Sequence, residues 1–264
     1  MLHLLSKTKY ITGLQCPRLI WIEVNEPEKI PETDPVTQYI FDQGHEVGYL
    51  ATKLFPSGID VPQDSFMGNI EKTKELLGER KPLFEAGILA GKLYSRVDIL
   101  SPTGEEEWDI VEVKSSTSVK DVHINDVAYQ RYCCTQSGLN IRKCYLALIN
   151  NQYVRDGEID PEGLLNIHDV TDQVEEASVG IQDKIDGIIE VISKETCPAV
   201  GIGKHCLTPY DCILQAKCWE FLPENSIFDL RGGKTKQFSL YEQGILSIKD
   251  IPDDISLSNV DRQR

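Results

Sequence analysis

Residues 94–116 read "YSRVDILSPTGEEEWDIVEVKSS" and contain two apolar runs separated by a turn-forming Pro-Thr-Gly sequence. This pattern predicts an antiparallel hairpin whose second strand extends from Trp108 to Lys114. Charged residues stand among the valines and isoleucine of that strand, where a buried charge is costly unless it is paired or binds something. The segment is therefore either an edge strand with one solvated face or the carrier of a chemical site.

The hairpin predicts a pair of carboxylates at one end. Side chains alternate between the two faces of a strand, so Glu112 and Lys114 share a face with Trp108. Asp98 stands on the preceding strand, and antiparallel pairing would bring it close to Glu112. Two carboxylates suit Mg²⁺ or Mn²⁺, and the carbonyl of Val113 would be a third oxygen ligand. The ammonium of Lys114 would orient a water or stabilise charge developing on a phosphate.

The rest of the chain places this hairpin in an α/β domain. Helices are predicted over residues 36–54, 66–79, 121–137 and 170–193, and residues 5–24 are predicted to form a helix with a Cys-Pro break followed by a short helix or strand. Further strands are predicted at "KCYLALIN" and, pairing with it, "NNQYV". This order of helices, β-meander, helix and strands predicts a mixed central sheet flanked by helices.

Two helices carry further polar candidates. The helix predicted after the hairpin contains "DVAYQRY", in which Asp126 and Gln130 are four residues apart and share a helix face. Upstream of the sheet, "FDQGHEVGYLA" places His45 on a predicted helix.

Taken together, these segments resemble the RecB-like branch of the PD-(D/E)XK nuclease superfamily. "RVD" followed by "VEVKSS" is similar to the family signature, with Asp98, Glu112 and Lys114 at the signature positions. The resemblance implies a restriction-endonuclease-like core and a substrate groove lined by Gln130 and Tyr132, with Gln130 also in the catalytic set. It implies a metal ion with four ligands: Asp98, Glu112, the Val113 carbonyl and His45.

The cysteines form a second, independent pattern. The chain has eight of them, and Cys206, Cys212 and Cys218 recur at intervals of six, whereas Cys16 lies far upstream in "SKTKYITGLQCPRLIW". Without a secretory signal, clustered thiols favour metal ligation over disulfides. This arrangement resembles the iron–sulfur centre of RecB-like exonucleases and implies a [4Fe–4S] cluster that joins the two ends of the core. Tetrahedral Zn²⁺ stays open, with Cys197 as a substitute ligand.

The remaining cysteines and the overall charge limit the interpretation. Cys133, Cys134 and Cys144 fall in a predicted helix and strand and are expected to pack as small apolar residues.

A net charge of −15 argues against a broad nucleic-acid-binding surface, although a local basic groove or a metal-dependent site remains compatible. Lys7 and Lys9 are candidates for phosphate contacts, with simple solvation as the alternative. Short apolar runs and the absence of a secretory signal predict a cytoplasmic protein that does not span a membrane.

Two classes of function follow from these patterns. The first is a Mg²⁺- or Mn²⁺-dependent deoxyribonuclease, an exonuclease acting on single-stranded DNA or duplex ends. Residues 1–222 would form its nuclease domain, and residues 223–264 an extension or the start of a further domain open to a protein partner. The second is a catalytically silent module of the same fold that serves as a nucleic-acid or protein platform. A zinc-binding interaction protein is a third possibility.

Overall fold

The structure is a computed structural model that describes residues 4–231, 233–257 and 261. The chain divides into two compact units. Unit 1 comprises Met1–Pro27 and Glu32–Pro198, and unit 2 comprises Glu28–Pro31 and Ala199–Arg264. All of the predicted metal-ion and substrate residues fall in unit 1, whereas three of the four predicted cluster cysteines fall in unit 2. The predicted domain division after residue 222 stays a prediction.

Unit 1 is built on one mixed sheet. In chain order its strands are Leu5–Ser6 (β1), Ile59–Asp60 (β2), Leu83–Ala90 (β3), Leu93–Thr103 (β4), Glu107–Lys114 (β5), Asn140–Ile149 (β6) and Leu165–Asp169 (β7). The order across the sheet is β2-β3-β4-β5-β6-β7, with β1 beside β4. Strands β3, β4 and β5 form an antiparallel meander, β6 is parallel to β5, and β7 is antiparallel to β6. The predicted mixed sheet and its hairpin are confirmed.

Helices flank this sheet. In unit 1 they are Lys7–Gln15 (α1), Pro17–Asn25 (α2), Pro35–Thr52 (α3), Phe66–Leu76 (α4), Asp121–Gln136 (α5), Pro161–Leu164 (α6), Thr171–Ser178 (α7) and Ile181–Ile192 (α8). Side-chain caps explain two of the starts, because Asp34 accepts the amide of Val36 before α3 and Ser65 accepts that of Gly68 before α4. Nowhere in the described ranges is a helix both long and apolar enough to cross a membrane.

The two faces of the sheet bury separate apolar clusters. The larger cluster includes Trp108 and Ile110 of β5 and packs beneath α1, α5 and α8. The smaller cluster, on the other face, joins Val111 of β5 to Ala51 of α3. This is the predicted alternation, and it directs Glu112 to the face covered by α1 and α5.

The predicted strand "NNQYV" is wrong. Residues 150–154 begin in a turn, and β7 takes the place beside β6 that this segment was expected to fill. The reason is local, because the side chain of Asn150 accepts the amide of Gln152 at 3.0 Å and donates to the carbonyl of Gly163 at 2.9 Å. An asparagine that bonds to a main-chain amide two residues on favours a turn over a strand.

The single helix predicted over 170–193 is two helices. Gly180 separates α7 from α8 and has a φ of 69°, in the left-handed region. A glycine takes this conformation without the steric cost that other residues meet, so it allows the chain to turn between the helices. The apolar periodicity continued across this break, which is why the pattern alone suggested one helix.

Unit 2 has a small core of its own. Its helices are Gln215–Cys218 (α9) and Lys234–Glu242 (α10). Ile227, Leu230 and Leu240 are buried together, and the rings of Trp219 and Phe228 lie 4.5 Å apart. The described part of the chain beyond residue 222 therefore has an apolar core despite its polar composition.

Candidate active site

The predicted carboxylate pair lies where β4 and β5 separate. Main-chain pairing of these strands extends as far as Ile99 opposite Val111. At the next position, Oδ2 of Asp98 accepts the amide of Val113 at 2.8 Å. A side-chain carboxylate therefore satisfies a main-chain donor of β5 where the strands part.

Strand β4 is irregular at Asp98. Phe84 pairs with Ile99, and Ala86 pairs with Val97. Asp98 and Glu85 therefore lie opposite each other, between these two pairs of residues. Val97 belongs to the larger apolar cluster and Ile99 to the smaller one, although a regular strand would place both on one face. At this break in the alternation, the side chain of Asp98 points toward β5.

The neighbouring strand supports the break with residues that the sequence did not single out. Glu85 has a φ of 58°, a left-handed conformation that costs roughly 1–2 kcal/mol for a residue with a Cβ. Its carbonyl accepts Nδ2 of Asn69 at 3.0 Å, and its carboxylate pairs with Arg96 at 2.6 Å. No glycine or turn motif at this position signals the irregularity, so only the backbone conformation and the broken alternation reveal it.

Glu112 is the centre of the site. Its side chain is 1% exposed, and its Oε1 accepts Nζ of Lys114 at 2.6 Å and Nζ of Lys7 at 2.8 Å. Its Oε2 accepts Nε2 of Gln130 at 2.7 Å. A buried carboxylate with donors on both oxygens is held in one orientation.

Helix α5 adds a third carboxylate to the same cluster. Nε2 of Gln130 also donates to Oδ1 of Asp126 at 3.1 Å, which confirms that these two residues share a helix face. Oδ2 of Asp126 accepts Nζ of Lys114 at 2.6 Å. The buried Oε1 of Gln130 has no hydrogen-bond partner among the described residues. The cluster is therefore closely bonded around Glu112, with one buried acceptor left without a partner among the described residues.

Lys7 is the member that motif reasoning did not place in the site. Its Nζ is 2.8 Å from Glu112 and 3.6 Å from Asp98. Pairing of Leu5 and Ser6 with β4 anchors the start of α1 beside the fork, the point where β4 and β5 separate. Ser6 caps this helix by accepting the amide of Lys9. No local signal marks this lysine, because only the pairing of β1 with β4 brings it to the carboxylates.

The charges of the cluster do not balance when all its groups are ionised. Three carboxylates, of Asp98, Glu112 and Asp126, face two ammonium groups, of Lys7 and Lys114, which leaves one negative charge. Burial, together with the charge of Glu112, raises the pKa of Asp98 to about 7. Asp98 is therefore the carboxylate whose charge is least compensated.

The ion pairs determine the charge of the other members. Burial favours the neutral form of Glu112, but the ammonium groups of Lys114 and Lys7 outweigh it and hold the pKa of Glu112 below its usual value. Burial likewise disfavours the charged form of Lys114, but Glu112 and Asp126 raise the pKa of Lys114 above its usual value. Lys114 therefore remains an ammonium and acts as a hydrogen-bond donor.

Two predicted residues lie away from this cluster. His45 is an exposed residue of α3, the helix that packs on the opposite face of the sheet. The hydroxyl of Tyr132 donates to Gln182 of α8. At 3.6 residues per turn, Tyr132 is about 200° around the helix from Gln130, so the two side chains leave α5 on different sides. Their roles as metal ligand and substrate contact stay predictions.

The donor set fits a divalent cation. Asp98 and Glu112 supply hard oxygens, and the ammonium of Lys7 shows that a cation is stabilised beside both. The amide of Val113 faces β4, and the carbonyl of a strand residue points to the same side as its amide, which places a third oxygen at this edge. Across the described residues, no three His, Cys, Asp or Glu side chains are arranged as metal ligands. Asp98 and Glu112 are the two predicted side-chain ligands that the structure brings together.

The predicted cluster cysteines are distributed between the two units. Cys16 is buried between α1 and α2 in unit 1. In unit 2 the amide of Cys212 donates to the carbonyl of Cys206 at 2.8 Å, and Cys218 is the last residue of α9. The four-cysteine cluster stays a prediction.

The other cysteines of unit 1 pack as expected. Cys133, Cys134 and Cys144 are buried in the larger apolar cluster, which confirms their predicted role as small apolar residues. Burial raises the pKa of Cys133 and of Cys144 to about 12. Burial therefore favours the neutral thiol over the reactive thiolate at both positions.

Comparison with known proteins gives distant structural similarities. The chain is 13% identical to the protein in the crystal structure of SSO0001, at a TM-score of 0.38 over 83% of this chain and 86% of that one. It is 9% identical to an alkaline exonuclease (LHK-Exo) from Laribacter hongkongensis, at a TM-score of 0.36 over 71% and 91%. The complex of LHK-Exo with dAMP matches at 10% identity and a TM-score of 0.35, over 71% and 90%. No protein-family model and no curated protein sequence matches the chain. Similarities at these TM-scores decide neither fold nor function, so any function must be argued from the site residues.

Proposed function

We propose that this protein is a metal-dependent nuclease that hydrolyses phosphodiester bonds in DNA. The observation that carries the proposal is the convergence of Asp98, Glu112 and Lys114 in one buried cluster at the fork of β4 and β5. Buried charges are weak contributors to stability, because desolvation offsets their attraction. A chemical role accounts for the buried Glu112 and Asp126 and the partly buried Asp98 better than a structural one does.

The chain's own residues divide the work of the reaction. Asp98, Glu112 and the Val113 carbonyl would hold Mg²⁺ or Mn²⁺, and Gln130 keeps Glu112 in place through its second oxygen. When bound, the cation supplies Lewis-acid polarisation of the phosphate and acidifies a water. Lys114, kept protonated by its carboxylate partners, orients that water and stabilises negative charge that develops on the phosphate oxygens.

The finer substrate assignment rests on the sequence resemblance. RecB-like exonucleases act at DNA ends, and we extend that activity to single-stranded DNA or duplex ends for this chain. The net charge of −15 favours a local contact near Lys7 and Lys114 over a broad basic surface.

A cleavage assay tests the proposed reaction. Wild-type protein should degrade end-labelled single-stranded DNA with Mn²⁺ and lose this activity in EDTA. Glu112→Ala should lower the rate by more than about a hundredfold, since the loss of outer-shell partners alone typically costs about 10–100-fold. Glu106→Ala is the matched control, because Glu106 is an exposed residue in the turn of the same hairpin.

The outcomes of that assay are distinct. Equal activity of wild type and Glu112→Ala would refute the assignment of the site, and it would point to a contaminating nuclease. Degradation of labelled RNA but not DNA would keep the site and reject the substrate.

We also propose that Cys16, Cys206, Cys212 and Cys218 bind a [4Fe–4S] cluster. The proposal rests on the sequence resemblance and on the six-residue spacing of Cys206, Cys212 and Cys218. Anaerobically purified protein should contain iron and acid-labile sulfide, and Cys218→Ser should lose both. Cys144→Ala, a buried cysteine outside the set, should keep them. Stoichiometric zinc without sulfide would favour the tetrahedral zinc alternative.

A second function is favoured by the same ion pairs. Lys7 and Lys114 already neutralise much of the charge on Glu112, so a catalytically silent platform of this fold would need no metal ion. The discriminating measurement is Mn²⁺ binding. Lack of affinity at millimolar Mn²⁺, together with retained binding of nucleic acid or protein, would support the platform.

A further inference from the structure

The ammonium of Lys7 lies where the predicted metal ligands converge. It is 2.8 Å from Oε1 of Glu112 and 3.6 Å from Oδ1 of Asp98, the two carboxylates that would bind the divalent cation. Its partners are therefore the predicted ligands themselves. A lysine that served only to contact phosphate would not need this position.

A divalent cation and this ammonium cannot both keep these contacts. Each would need the same carboxylate oxygens, and two cations a few ångströms apart repel each other strongly in a partly buried site. Lys7 has a long side chain on the first turn of α1 and is 23% exposed, so its ammonium has a route to solvent. Lys114 is held differently, because Asp126 is a second partner outside the predicted ligand pair.

We infer that Lys7 is a built-in counter-cation, which occupies the cation position between Asp98 and Glu112 and is displaced when a divalent cation binds. This inference rests on the proposed function. Competition of this kind lowers the affinity of the site for Mg²⁺ or Mn²⁺ while it offsets part of the negative charge of the carboxylates in the cation-free protein. Lys7 thus sets the cation concentration at which the site is loaded.

The test measures Mn²⁺ affinity without any turnover. The loss of the signal of unbound Mn²⁺ in electron paramagnetic resonance gives the affinity of wild type, Lys7→Met and Lys9→Met. Removal of the competitor should tighten Mn²⁺ binding in Lys7→Met by at least about fivefold, the lower end of typical coupling between ligands. Lys9→Met is the matched control, since Lys9 lies on the same helix and faces Glu23.

The direction of the change in Mn²⁺ affinity distinguishes displacement of Lys7 from a purely structural ion pair. A purely structural ion pair predicts unchanged or weaker Mn²⁺ binding in Lys7→Met, and either result overturns the inference while the proposed nuclease stands. Mn²⁺ binding by Lys7→Met but not by wild type would mean that Lys7 competes strongly enough to exclude the cation, and it would support the inference. If neither wild type nor Lys7→Met binds Mn²⁺, both the proposed function and this inference are overturned.

A second measurement uses the unmodified chain, in case Lys7→Met does not fold. An amine-reactive reagent is applied to wild type with and without Mg²⁺, and modification of each lysine is followed by mass spectrometry. Mg²⁺ should increase the modification of Lys7 by severalfold and leave Lys9 unchanged. Equal modification of Lys7 in both conditions, at a Mg²⁺ concentration shown to saturate the site, overturns the inference.

Discussion

Asp98 accepts the main-chain amide of Val113 at 2.8 Å, across the point where β4 and β5 separate. One carboxylate thereby completes the hydrogen bonding of the sheet and stands beside the ion pairs of Glu112. The Asp98 carboxylate therefore contributes both to the hydrogen bonding of the sheet and to the proposed cation site. Conservative substitutions can separate these two contributions.

Substitution of Asp98 should separate fold from cation binding. Asp98→Ala leaves the amide of Val113 without its acceptor and should lower the free energy of unfolding by about 1–3 kcal/mol. Asp98→Asn keeps an acceptor oxygen and should cost less, as measured by urea denaturation. Both variants should weaken Mn²⁺ binding, because both remove the carboxylate. Strong Mn²⁺ binding by Asp98→Asn would exclude Asp98 as a ligand.

Gln130 should influence the reaction through Glu112. Its amide bridges Glu112 and Asp126, so Gln130→Ala leaves both carboxylates with fewer donors. We expect a loss of about 10–100-fold in the cleavage rate, the range found for groups that orient metal ligands. Gln136→Ala, an exposed glutamine at the end of α5, is the control. A normal rate in Gln130→Ala would mean that Glu112 is oriented by its lysines alone.

Asp109 has a structural role that can be tested by stability. It is 8% exposed, and it binds Arg142 and accepts the amide of Lys143 at 3.1 Å, where the β5–β6 register shifts. Asp109→Ala should lower the free energy of unfolding by about 1–3 kcal/mol through the unsatisfied amide. Arg142→Met should cost less than about 1 kcal/mol, because the guanidinium side chain is 41% exposed. Equal losses in the two variants would assign the effect to the ion pair.

His123 should make the fold sensitive to acid. Burial, assisted by the charge of Lys114, lowers the pKa of His123 from 6.5 to about 4 in the folded protein. Between these values the unfolded chain binds a proton that the folded chain does not, so the free energy of unfolding falls as the pH decreases. The loss has a limiting slope of about 1.4 kcal/mol for each pH unit.

The comparison of wild type with His123→Leu isolates this contribution. Urea denaturation from pH 7 to pH 4.5 should show a weaker pH dependence in the variant than in wild type. His168→Leu, at an exposed position on β7, should keep the wild-type pH dependence. Parallel pH profiles for wild type and His123→Leu would show that the pKa of His123 is the same in the folded and the unfolded chain.

Much of the fold of unit 1 was predictable because the sequence patterns that indicate its elements are local. Alternating residues and a Pro-Thr-Gly turn were enough for the β4–β5 hairpin, and the four-residue spacing of Asp126 and Gln130 was enough for their shared face. The errors were also local in origin. Asn150 began a turn where a strand was expected, and Gly180 ended a helix whose apolar pattern continued.

The sequence by itself determined the mixed sheet, the antiparallel hairpin and the face on which Glu112 lies, since each follows from short-range periodicity and turn chemistry. Only the tertiary structure decided the electrostatic environment of Glu112. Lys7 reaches it because β1 pairs with a strand far along the chain, and Asp98 turns toward β5 at a point where Glu85 of the adjacent strand has a left-handed conformation. Such contacts depend on strand register and on distances between remote segments, and no local pattern encodes them.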